Sequence, residues 1–147
     1  MLKPQAANIR NMFYAMTPEQ LAAQAQQGIF IQAKAAHDQA RIIDMARTSD
    51  PKTTGDAMYE VMQTDLRQQL PSVNTPMLLL GASGAFTQAI QHEQVAELYQ
   101  AQLSEVKSAK VVMNTQSRHF IMFDDIDWLE QQVRDFFGAN SFPGVKN

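Results

Sequence analysis

Met77-Leu-Leu-Leu80, held between Pro76 and Gly81, is apolar at every position and of strand length. A strand with one wet face alternates polar and apolar residues; a run without alternation suits a parallel sheet covered on both faces. Parallel pairing needs a long crossover, and the sequence supplies one. Glu93 to Val106 carries Val95, Leu98, Tyr99 and Leu103 at helical spacing, and Lys110 to Asn114 follows as a second strand. Asp125 to Phe137 then reads as a last helix with Ile126, Leu129, Val133 and Phe136 on one side, closed by Gly138. Strand, helix, strand, helix predicts a right-handed parallel crossover and an α/β fold class.

Before Pro71 the periodicity is helical throughout. Ala6 to Met16 gathers Ile9, Met12, Phe13 and Met16 into one apolar stripe. Thr17-Pro18-Glu19-Gln20 opens a second helix, with Thr17 as N-cap, Pro18 at the first helical position and Gln20 completing a capping box; Gly28 ends it. A third helix is expected over Phe30 to Arg47, broken by Thr-Ser-Asp-Pro. A fourth is expected over Thr53 to Gln69, with Met58, Val61, Met62 and Leu66 on its buried side and Pro71 as terminator. The expected organisation is a helical cap or lid region over 1–70 and a β-α-β-α part over 71–147.

Composition excludes several function classes. The 147 residues, 45% of them hydrophobic, suffice for a packed core. Twelve basic against 15 acidic residues give a net charge of −3 with no basic patch interleaved with aromatics, which argues against nucleic-acid binding. Without cysteine there is neither a disulfide nor a thiolate metal site, and no run is long enough to span a bilayer. No cofactor and no metal are expected. The start, Met-Leu-Lys-Pro-Gln, lacks the apolar stretch of a signal peptide, so a cytoplasmic location is expected.

The residue with the clearest chemical potential is His119, in the loop between the second strand and the last helix. Imidazole takes and returns protons near neutral pH, and a strand end fixes the backbone that carries it. Three segments, Thr75-Pro-Met-Leu-Leu-Leu-Gly81, Tyr99-Gln-Ala-Gln102 and Ser117-Arg-His-Phe-Ile-Met-Phe-Asp124, are similar to the C-terminal part of an α/β-hydrolase. Met62-Gln-Thr-Asp-Leu-Arg67 resembles the end of that family's cap.

The resemblance implies a helical cap followed by a partial parallel sheet, and a parent enzyme that hydrolyses an ester, amide or related small substrate with a nucleophile-histidine-acid triad. His119 would be its catalytic histidine, a general base toward the nucleophile and then a general acid toward the leaving group. The family's nucleophile sits on a Gly-x-Ser-x-Gly elbow, which this sequence does not contain. Gly84 and Ala85 stand where most members have their acid. The resemblance therefore implies a C-terminal fragment that begins at the cap, downstream of the nucleophile, and is inactive alone. Its first strand would lack a neighbour, leaving an apolar edge open to self-association or a swapped dimer.

Other residues read more plainly. Ser83, in Gly81-Ala-Ser-Gly84, is a turn residue, and a complete small hydrolase built on Ser83, His119 and a downstream Asp is remote. Asp124, Asp125 and Asp127 suit the capping of a helix start better than a partnership with His119. His37 and His92 read as surface residues, and Trp128 as a packing anchor. Met12, Phe13 and Met16, with Tyr14, are candidates to line an apolar substrate pocket, although the same spacing also makes a cap core. The rival reading from another class is a non-enzymatic helical interaction module with an α/β scaffold tail.

Overall fold

The computed structural model describes residues 3–139. The chain divides into two compact units, Met1–Leu66 and Arg67–Asn147. Its class is mixed α/β, with helices dominant and a small parallel sheet.

The first unit contains α1 (Lys3–Tyr14), α2 (Pro18–Gln27), α3 (Ile29–Gln32), α4 (Ala36–Thr48) and α5 (Pro51–Gln63). The capping box that opens α2 is formed as its sequence predicts: the Gln20 amide donates to Thr17 Oγ1 at 3.3 Å, and the Thr17 amide donates to Gln20 Oε1 at 2.8 Å. Helix α5 begins at Pro51 because Asp50 caps it, its carboxylate accepting the Thr53 amide at 2.8 Å. It stops at Gln63, well short of Pro71.

The single helix expected over Phe30 to Arg47 is two. Ala33 lies between α3 and α4 in an extended conformation and is fully buried. Gln39 Nε2 donates to the Ala33 carbonyl at 2.8 Å, satisfying an acceptor that helix continuation would otherwise have used. Ala-Lys-Ala has every propensity for helix, so burial and this side chain override propensity.

Helices α1 and α5 pack together, as do α2 and α4. The α1–α5 contact runs through Gly55, where a Cβ would stand 2.9 Å from Phe13 Cβ and 3.1 Å from the Arg10 carbonyl. This also corrects the expected buried side of the fourth helix. Pro51 and Gly55 are its buried residues, whereas Met58, Leu66 and above all Val61, 72% accessible, are exposed. A glycine gives a closer backbone approach than a row of large side chains, so the sparse N-terminal half of α5 is the face α1 covers.

The second unit contains a short 3₁₀ turn (Leu70–Ser72), β1 (Met77–Ala82), α6 (Ala89–Gln102), β2 (Ala109–Asn114), α7 (Ile121–Asp124) and α8 (Ile126–Ala139). The strands are parallel, with Met77 opposite Ala109 and Ala82 opposite Asn114. Gly81 lies opposite Met113, and a Cβ there would overlap the Met113 side chain and come within 3.2 Å of Tyr99 on α6. The expectation that β1 is buried on both faces does not hold: only Gly81 is buried and the other five residues are half-buried. The faces of a parallel sheet are buried by the helices packed on them, and within this unit those helices leave β1 partly accessible. The apolar core here consists of Leu103, Val106 and Ile121.

Candidate functional site

Parallel register sends the loops after β1 and β2 out of the same end of the sheet, the end where α/β proteins place their chemistry. Backbone bonds join the two loops. The Ser83 amide donates to the Asn114 carbonyl at 3.0 Å, and the Gly84 amide to the Ser117 carbonyl at 2.8 Å. Glycine is required at 84, because a Cβ there would overlap the Gln116 carbonyl.

Three side chains organise the second loop. Asn114 Oδ1 accepts the Gln116 and Ser117 amides at 2.8 and 2.7 Å, and Asp124 Oδ2 accepts the Arg118 amide at 2.7 Å. Asp125 caps α8, accepting the Trp128 amide at 3.3 Å through Oδ1 while Oδ2 accepts from Asn114 Nδ2 at 3.2 Å. Asp124 and Asp125 thus bind loop and helix amides. Asn114 was not a candidate from the sequence; the available signal is an asparagine at a strand end followed by polar residues, the pattern of a side chain bonding amides two and three residues on.

His119 is exposed in the segment between this loop and α7, a helix of one turn that the sequence reading did not anticipate. Its ring meets Phe120 edge-on, centroids 5.1 Å apart at 85°, and Phe120 stacks on Phe123 at 5.3 Å. Among the described residues the imidazole has no hydrogen-bond partner, so neither an acid nor a nucleophile is assembled around it. The arrangement offers an accessible base on a tethered backbone.

Ser83 points elsewhere. It is 1% exposed, and its hydroxyl lies 2.8 Å from His92 Nδ1. A serine and a histidine at this spacing satisfy the first geometric condition for nucleophilic chemistry, but a hydroxyl closed off from solvent cannot meet a substrate. The pair is a structural tie between the β1 loop and α6. His92, expected at the surface, is instead half-buried because it makes this bond. His37 is a surface residue, its side chain 83% accessible beside Asp38 at 3.3 Å.

The proposed pocket residues belong to the first unit. Phe13 is buried against Gly55, Met12 is exposed and Met16 half-buried just beyond α1. Their neighbour Tyr14 donates its hydroxyl to Asp56 at 2.7 Å, and that bond holds its pKa above the ordinary phenol value. An open groove of about 370 Å³ lies between α2 and α4, lined by Glu19, Ala22, Ala23, Gln26, Ile43 and Arg47; none of the three is among them.

Among the described residues no cluster of three or more His, Asp or Glu could hold a metal, and no helix is long and apolar enough to cross a membrane. Comparison with protein-family models, with curated proteins and with solved structures returns no match.

Proposed function

We propose that this chain is a cap region and the C-terminal part of an α/β-hydrolase-like core, and that His119 is the general base of a hydrolase acting on an ester, amide or related small substrate. The observation that carries the reading is an exposed imidazole, without a hydrogen-bond partner among the described residues, in the loop leaving the carboxyl end of a parallel strand pair. A second support is the sequence context of His119, similar to that family's; the same sequence departs from the family in having no Gly-x-Ser-x-Gly. The nucleophile and the triad acid then come from polypeptide outside these residues, and His119 accepts the nucleophile's proton and returns it to the leaving group.

The test is a p-nitrophenyl ester assay on two proteins: residues 1–147 alone, and the product of the whole reading frame in which they lie. The longer product should turn over and lose about 10²–10⁴-fold in kcat with H119A; residues 1–147 should not turn over. Turnover by residues 1–147 alone that H119A abolishes would overturn the assignment of an external nucleophile.

Apolar exposure in the first unit favours one second reading, a non-enzymatic interaction module. Phe30 is 56% and Val61 72% accessible on helices of that unit. An inactive whole-frame product that binds another protein, and loses binding with V61D, would favour it.

A further inference from the structure

The residues immediately before His119 present three consecutive amides, those of Gln116, Ser117 and Arg118, and each is received by a side-chain oxygen. Asn114 takes two of them and is 5% exposed. Its orientation is dictated by its partners: two N–H groups on one side demand the carbonyl oxygen there, which turns Nδ2 toward Asp125. Asp125 in turn spends its other oxygen on the first turn of α8. Ser117 has a fully buried hydroxyl with no hydrogen-bond partner among the described residues, so bonds to its backbone are what hold it. The His119 ring has no hydrogen-bond partner among the described residues and meets only the edge of its neighbour Phe120, so the backbone that delivers it and this ring contact are what place the imidazole.

From this we infer that Asn114 is the positioning residue of His119: it couples the end of β2 to the start of α8 through Asp125 and holds the intervening loop in one conformation. The inference rests on the reading of His119 as the working base. Asparagine is specifically suited because it accepts on one side and donates on the other. A carboxylate at 114 would keep the two amide bonds but set two acceptors against each other at Asp125, where the present separation is 3.2 Å. Exchanging the pair, N114D with D125N, restores a donor facing an acceptor and leaves the 125 side chain an oxygen for Trp128.

The experiment is NMR on residues 1–147, following the His119 imidazole signals and the amides of Gln116, Ser117 and Trp128. In the unsubstituted chain Gln116 and Ser117 should exchange at least about tenfold more slowly than exposed loop amides, as hydrogen-bonded amides do. N114D should split or broaden the His119 signals, and N114D/D125N should return them to one sharp set. Fast exchange at Gln116 and Ser117 overturns the inference without any variant. So does N114D moving the Trp128 amide while His119 is unchanged, which would make the network a helix cap only, and so does failure of the double exchange to restore His119. None of these readouts involves turnover, so failure of the positioning role and failure of the hydrolase reading are told apart.

Discussion

Ser83 and His92 meet across the turn that joins β1 to α6, Oγ to Nδ1 at 2.8 Å, with the serine almost wholly enclosed. The bond satisfies a hydroxyl that burial would otherwise leave costly, and it fixes the start of α6 to the sheet end from which the His119 loop also leaves. The tie predicts a structural phenotype. S83A should lower stability by about 1–2 kcal/mol in urea denaturation and, on the proposed hydrolase reading, leave any kcat of the whole-frame product within a few-fold. A collapse of kcat with unchanged stability would make Ser83 a nucleophile after all.

Gly84 has no room for a side chain beneath the Gln116 carbonyl. G84A must separate the β1 and β2 loops or distort them, at a cost of about 1–3 kcal/mol typical of overpacking. The urea midpoint should fall accordingly, and the Gly84 and Ser83 amides should lose exchange protection first. An unchanged midpoint would contradict the close approach of the two loops.

Stability of the first unit should fall in both acid and base. Hydrogen bonds from the Thr53 amide and hydroxyl hold the Asp50 carboxylate below its ordinary range, and Glu19 is lowered by its own amide and by Thr17. A depressed acid stabilises above its unfolded pKa, 3.8 for Asp50, and that contribution is lost as pH falls through the folded value. Tyr14 is the opposite case: raised by its bond to Asp56, it stabilises below its unfolded value of 10.0, and the contribution is lost as pH rises through the folded one. Circular dichroism against pH should show a weaker acid dependence in D50N and a weaker alkaline dependence in Y14F.

The described sheet has two strands, so β1 carries one edge without a strand neighbour among the described residues, and that edge belongs to an apolar run. Unpaired amides beside apolar side chains invite strand addition. Sedimentation of residues 1–147 should show concentration-dependent association. A monodisperse monomer at high concentration would count against edge pairing.

Local rules made much of this architecture legible. Thr17-Pro-Glu-Gln20 opens a helix because its side chains reach only their own backbone, and the parallel strand pair follows from two apolar runs joined by a helix-length crossover. His119 could be singled out by its place after a strand. The misses share one cause. Ala33 leaves a helix-prone run because it is buried and Gln39 reaches back to its carbonyl, Gly55 turns the sparse side of α5 inward because α1 comes close, and Met12 falls outside the covered face.

Sequence by itself determined that helices precede a strand-helix-strand-helix order, where α2 begins, and that no Gly-x-Ser-x-Gly is present, since each depends on residues near one another along the chain. Only the tertiary structure decided that Ser83 pairs with His92, that Asn114 reaches Asp125, and that His119 stands exposed on a clamped loop. Those relationships depend on which strand end meets which loop, and hydrogen-bond geometry over a few ångströms is fixed by packing that no local pattern encodes.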